Sequence, residues 1–159
     1  RLFKMIYITH IDNDTVDKIN STLHSLVIEE ETGDRATRGG FQSVNIRHGF
    51  DYRILTRFLP FDFAYRTDWI HYIEYDVGGF QKRHKHEKHE KFSWVLYLND
   101  SDGDTIFYTE GNIRVSPRKG KLVVFSSDIE HEAMTTMMGK KVLVGGIDKI
   151  DWCRSQRWL

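Results

Sequence analysis

His84 and His86 stand two positions apart at the end of the run Tyr75-Asp-Val-Gly-Gly-Phe-Gln-Lys-Arg-His-Lys-His, a third histidine, His131, lies far downstream, and Lys141 follows it. Imidazole nitrogens bind transition metals and an ammonium group holds anions, so these are the residue types of a mononuclear iron site that also takes an anionic co-substrate. Extended backbone would bring the first two together. Residues i and i+2 of a strand share one face with Cα atoms roughly 6 to 7 Å apart, close enough for both imidazoles to reach one ion. Lys85 would point the other way. The competing reading is a solvated charged turn, because the stretch from His84 to Lys91 is strongly polar.

Strands must hold those side chains. Trp69 to Tyr75 alternates bulky apolar and polar residues and is expected to form a strand that continues towards the histidines. Phe92 to Leu98, Thr105 to Thr109, Ile113 to Val115 and Leu122 to Phe125 read as further strands, and His131 follows the last of them. A distant third ligand is what a folded β-barrel supplies. Upstream, Phe3 to Thr9 reads as a short strand. Asp12 or Asn13 caps a helix reaching about Val27, with Val16, Ile19, Leu23 and Leu26 forming an apolar stripe for packing against a sheet. Glu29 to Gly40 is polar and ends in Gly-Gly, which predicts a mobile loop. Phe41 to Ile46 reads as a returning strand and Asp51 to Leu59 as a short helix that stops before Pro60. The expected whole is one domain over residues 1–159, mainly β with flanking helices: a helical support at about 12–60 and a barrel core at about 69–147.

The 159 residues, 40% hydrophobic and 13% aromatic, suffice for one domain with a real core. Twenty-three basic and twenty-three acidic residues cancel, so no overall field favours nucleic acid or an anionic membrane. The local cluster Arg114, Arg118, Lys119 and Lys121 reads as a solvated loop. One cysteine, Cys153, permits no intrachain disulfide, and a reducing cytoplasm fits. No apolar run is long enough to span a bilayer, and no signal peptide is visible; the Asn-x-Ser/Thr matches at Asn13, Asn20 and Asn99 are expected to be chance.

These residues resemble the prolyl 4-hydroxylase-like branch of the iron(II)/2-oxoglutarate-dependent dioxygenases, from about Ile70 to Ile147. Tyr75-x-Val-Gly-Gly-x-x-x-x-His84 is similar to the strand bearing the first iron ligand in collagen prolyl hydroxylases. Val95-Leu-Tyr-Leu-Asn-Asp, Gly103-Asp-Thr-Ile-Phe, and Val115-Ser-Pro-Arg-Lys-Gly-Lys-Leu-Val-Val-Phe resemble its next strand, its Gly-Gly-x-Thr-x-Phe turn and its Pro-x-x-Gly turn. Asp104 stands where a second Gly is usual. The resemblance implies a double-stranded β-helix, or jelly roll, and three cofactors: Fe(II), 2-oxoglutarate as co-substrate and O2, with ascorbate as an accessory reductant. It implies His84, His86 and His131 as metal ligands, with no catalytic residue beyond the metal centre. Lys141 falls at the place of the basic residue that pairs with the far carboxylate of 2-oxoglutarate. Tyr97 is a candidate donor to that carboxylate and Tyr75 a candidate beside the keto acid; ordinary aromatic packing is the alternative for both.

One departure stands out, because the family carries Asp, less often Glu, two residues after the first histidine, where this chain has His86. Three neutral imidazoles leave the ion one unit more positive than two imidazoles and a carboxylate. A cupin reading takes the same histidines with Glu90 as a carboxylate ligand and needs no 2-oxoglutarate; a non-catalytic barrel that binds a ligand or partner needs neither. The expected substrate is a small molecule or a protein residue, with Glu29 to Gly40 and Phe61 to Asp68 as candidate walls or lids. Substrate identity and oligomeric state are not legible.

Overall fold

The protein is described by a computed structural model that covers residues 4–26, 28–59, 67–86 and 90–148. The elements in order are β1 (Ile6–His10), α1 (Asn13–Ser25), β2 (Thr37–Gln42), a 3-10 helix (Tyr52–Phe58), β3 (Thr67–His84), β4 (Glu90–Tyr97), β5 (Thr105–Phe107), β6 (Ile113–Val115), β7 (Lys121–Ser126), β8 (His131–Ala133) and β9 (Lys140–Asp148). Strands pair in the order β1-β7-β4-β9-β3-β8-β5-β6, with β2 alongside β3, and every pairing is antiparallel. The sheet curls on itself as a jelly roll.

The curl depends on β3. Its 18 residues pair with β9 over Thr67 to Tyr75 and with β8 at Gln81 and His84, so one strand serves both halves of the barrel. It turns at Gly78, whose φ of 89° lies in the left-handed region that a residue without Cβ reaches at no steric cost. β2 follows the bend, with Gly40 opposite Tyr75 and Thr37 opposite Gln81.

Side-chain alternation splits the core in two. Ile73 and Tyr75 from β3, Tyr97 from β4 and Val142 from β9 join Phe107 and Phe125 in the barrel interior. Ile70, Trp94, Leu96 and Leu143 face outward onto Val16, Ile19 and Leu23 of α1. Burial of each such side chain contributes about 1.5–3 kcal/mol. The helix starts where expected: Asp12 Oδ2 accepts from the Thr15 backbone N–H at 3.0 Å. It ends at Ser25, with Leu26 extended as its C-cap.

Several boundaries differ from expectation. The polar stretch from Glu29 is not a free loop, for its last residues open β2 and Arg35 ties it together, donating to the carbonyls of Glu31 (2.9 Å) and Gly40 (3.0 Å). The strand expected at Phe41 to Ile46 is β2 shifted towards the N-terminus, ending at Gln42, with Ser43 bridged to Glu30. The short helix expected over Asp51 to Leu59 is a 3-10 helix from Tyr52 to Phe58. Phe3, Cys153 and most of Phe61 to Asp68 lie outside the described residues. Among the described residues no helix is long and apolar enough to cross a membrane.

Candidate metal centre

β3 ends on His84, β8 begins on His131, and the two are paired across neighbouring strands. His86 follows two residues beyond the strand, its backbone N–H donating to the Ser127 carbonyl at 3.1 Å. Ring centroids lie 4.4 Å apart for His84 and His131, 5.2 Å for His86 and His131, and 5.3 Å for His84 and His86. One ligand nitrogen from each falls within 4.8 Å of the others. Metal–imidazole bonds of about 2 Å place coordinated nitrogens roughly 3 to 4 Å apart, so small side-chain adjustments bring all three onto one ion.

Hydrogen bonds aim two of the rings. His84 Nδ1 lies 2.7 Å from the Lys82 carbonyl and His131 Nδ1 lies 3.0 Å from that of Ile129. A carbonyl only accepts, so each Nδ1 carries the proton and each Nε2 keeps its lone pair for a metal. Phe125 and Phe107 wall the buried His131 ring, with centroids at 4.8 and 5.8 Å. Burial pushes His86 and His131 down to about 3, with repulsion between the imidazoles adding to it, and lowers His84 as well. All three therefore stay neutral, the form that binds metal. The donor set and its protonation state fit a transition-metal ion.

A cavity of about 310 Å³ opens on His84 and His86 and is lined also by Gln42, Trp69, His71 and Gln81. Trp69 stands 5.4 Å from His86, centroid to centroid, in space that Gly146 leaves free, since a Cβ there would come 2.5 Å from the indole. Two larger hollows, of about 570 and 500 Å³ around Phe50 and Asp51, hold no cluster of metal donors among the described residues. His71 was not singled out in the sequence. Its Nδ1 donates to the Ser43 carbonyl at 2.8 Å, and the period-two run Trp69, His71, Ile73 is the signal that could have found it.

The structure brings the three histidines together and separates the two lysines. Lys141 lies half exposed on the outer face, 3.8 Å from Glu74 Oε1. Lys140 is the buried cation: it is 2% exposed, its Nζ donates to the Gly103 carbonyl at 2.7 Å and sits 4.6 Å from the Tyr75 ring centroid. Burial pushes it down to about 8. β9 pairs Lys140 with Tyr75 and so sends Lys141 to the other face. Tyr97 is fully buried, 2.6 Å from Thr105 Oγ1, and Tyr75 bonds to Thr37; burial raises both phenols, so both stay protonated. Glu90 opens β4 with its backbone opposite Asp148, and its side chain lies outside the described residues.

Residues 68–146, about half of the chain, match the sequence model of the 2OG-Fe(II) oxygenase superfamily. No curated protein matches the chain. Among solved structures, a 2OG-Fe(II) oxygenase family oxidoreductase from Burkholderia pseudomallei superposes with a TM-score of 0.69 at 18% identity, covering 92% of this chain and 85% of that one. A Pseudomonas putida prolyl-4-hydroxylase gives 0.62 at 15% identity, covering 92% of both. A Trichoplax adhaerens prolyl hydroxylase in complex with a hypoxia-inducible-factor oxygen degradation domain peptide fragment gives 0.65 at 13%, covering 96% and 86%. At these identities the likeness is one of fold.

Proposed function

Since this chain belongs to the 2OG-Fe(II) oxygenase superfamily, we propose that it is a hydroxylase, coupling decarboxylation of 2-oxoglutarate to oxidation of an unactivated carbon in a small molecule or a protein residue. Fe(II), 2-oxoglutarate and O2 are the cofactors of that superfamily. The observation that carries the reading is the convergence of three neutral imidazoles at the mouth of the barrel.

Iron, when bound, supplies the redox chemistry by which O2 and the keto acid are consumed. His84, His86 and His131 hold it, and Phe107 and Phe125 keep water from the inner side of His131. Lys140 rather than Lys141 meets the far carboxylate of 2-oxoglutarate. It is a buried cation inside the barrel, on which Asp104 and Asp102 act from beyond ion-pair distance, and such a charge is best accommodated beside an opposite one. Tyr97 and Tyr75 belong to the same interior cluster and can donate phenolic hydrogen bonds to the co-substrate. The substrate enters by the cavity over His84 and His86, between Trp69 and Gln81.

A second reading, a metal dioxygenase without 2-oxoglutarate, is favoured by the donor set itself, which among the described residues is three imidazoles. An anaerobic titration of metal-stripped protein with iron(II) and then 2-oxoglutarate separates the two. The visible charge-transfer band of a chelated keto acid is expected. Iron uptake without that band would favour the second reading, and no iron uptake would refute both.

A further inference from the structure

We infer that Asp102 is a positioning residue for co-substrate binding: its carboxylate fixes the turn from which Lys140 enters the barrel, and so sets where the ammonium meets the far carboxylate of 2-oxoglutarate. The inference rests on the reading of Lys140 above and concerns what holds that side chain in place.

Two connections meet behind the lysine. Residues 98–104 join β4 to β5, and residues 134–139 join β8 to β9. The second connection delivers Lys140 as the first residue of β9, so a shift of that turn moves the base of the lysine side chain. Asp102 bonds the two together. Its Oδ1 accepts from the Thr136 hydroxyl at 2.6 Å and from the backbone N–H groups of Met137 at 2.9 Å and Met138 at 3.3 Å, while Oδ2 accepts from Met137 at 3.1 Å. The Thr136 hydroxyl above all, with those N–H groups, holds the Asp102 carboxyl below the usual carboxylate range, and bonds to an ionised acceptor are the strong ones. Ser101 and Asp104 close the frame, for Ser101 Oγ donates to the Gly139 carbonyl at 2.7 Å and the Asp104 carbonyl accepts from Met134 N–H at 2.9 Å. The side chains of Met137 and Met138 are 65% and 68% exposed, so polar bonds rather than packing hold the tip of the turn.

The far end of Lys140 returns to the same stretch. Its Nζ donates to the carbonyl of Gly103, the residue that follows Asp102. Backbone and ammonium are thus both referred to residues 101–104. A lysine stem is long and flexible, and one tied at both ends has its ordering entropy lost before the co-substrate arrives. An ammonium carries three donors, and the Gly103 carbonyl takes one of them, which leaves donors for a carboxylate.

The test measures 2-oxoglutarate affinity by anaerobic calorimetry on iron(II)-loaded wild type, Asp102→Ala, Asp102→Asn, Lys140→Met and the double variant Asp102→Ala/Lys140→Met, with iron affinity as the control for an intact barrel. A misaimed charged hydrogen bond costs roughly 5- to 10-fold in affinity, and that loss is expected in Asp102→Ala with iron affinity unchanged. Asp102→Asn keeps an acceptor of the same shape and is expected to stay within about threefold of wild type. In the Lys140→Met background Asp102→Ala should add less than about twofold, because the two residues act through one contact. Unchanged affinity in folded Asp102→Ala overturns the inference, as does a full loss repeated in the Lys140→Met background, which would mean general damage. A loss in Asp102→Asn as large as in Asp102→Ala also overturns it, since charge and not position would then be at work. Should Asp102→Ala not fold, Thr136→Val, which deletes one of the bonds at constant shape, carries the same comparisons. Lys140→Met that binds 2-oxoglutarate like wild type would remove Lys140 from the site and the inference with it, whereas a loss in Lys140→Met without one in Asp102→Ala overturns the inference alone.

Discussion

Lys140 and Lys141 differ by one position and by the thickness of a sheet. Gly139-Lys-Lys-Val contains nothing that says which lysine turns inward, because the alternation of β9 is anchored by its register against β3, with Tyr75 opposite Lys140. The type of residue was legible and its face was not. A charged hydrogen bond contributes about 1.5–3 kcal/mol, so Lys140→Ala is expected to weaken 2-oxoglutarate binding by roughly 10-fold or more, while Lys141→Ala changes it less than about twofold. Anaerobic titration of the iron-loaded variants checks this, and equal losses would remove Lys140 from the site. The same residue sets a pH dependence. Burial holds Lys140 at about 8, below the ordinary lysine value of 10.5, so it loses its proton as pH rises through about 8. Affinity for 2-oxoglutarate should therefore decline above that pH in the wild type and be flat in Lys140→Met. For stability the sign is opposite: between about 8 and 10.5 the unfolded chain binds more protons than the folded one, so Lys140 favours folding increasingly as pH rises through that window.

The metal ligands depend on one bent element. β3 must bend at Gly78 and Gly79 for His84 to arrive opposite His131, and Gly79 allows the close approach of β2: a Cβ there would lie 2.2 Å from the Gly39 carbonyl oxygen. Gly79→Ala is thus expected to cost about 2 kcal/mol or more, since backbone atoms must move, and to weaken metal binding by displacing the second half of β3. Urea denaturation and metal titration of the same variant test both parts; a destabilised protein with intact metal affinity would show that the bend does not position His84. Gly78→Ala meets no atom within 4 Å and bears only the strain of its φ of 89°, about 1–2 kcal/mol. Much of this element was readable, for the alternation from Trp69 and the Gly-Gly pair both point to a long interrupted strand that ends at the histidines. β2 was harder to read, because its four central residues, Arg38, Gly39, Gly40 and Phe41, look like a loop until β3 is present to pair with them. Short 3-10 structure at Tyr52 likewise follows from packing onto the helical layer rather than from local preference.

At the scale of the molecule, the cluster joins β3 to β8 and so fastens the strand shared by both halves of the barrel. A ligand that binds only the folded state stabilises it by RT ln(1 + [L]/Kd), about 2.7 kcal/mol at a hundredfold excess over Kd. Saturating cobalt(II) or zinc(II) at pH 7 should then raise Tm by roughly 5–10 °C, because about 1 kcal/mol moves a domain of this size by about 2–4 °C. The pH dependence of that gain distinguishes a built site from a polar surface cluster. His86 and His131 are held at about 3 in the folded chain against 6.5 for a free imidazole. Groups with depressed folded values leave stability complete above about 6.5 and remove it as pH falls towards about 3, because only the unfolded chain then takes up protons. Metal-free protein should accordingly lose stability steadily from pH 6.5 downward, and less steeply in His86→Gln. The folded site still offers neutral nitrogens at pH 5, so the gain in Tm from metal should persist there. Solvated histidines would be mostly protonated at that pH and would lose most of it. Thermal melts at pH 7 and pH 5, with and without metal, decide between the two: a gain that vanishes at pH 5 would mean that the three rings do not form the preformed centre on which the oxygenase reading depends.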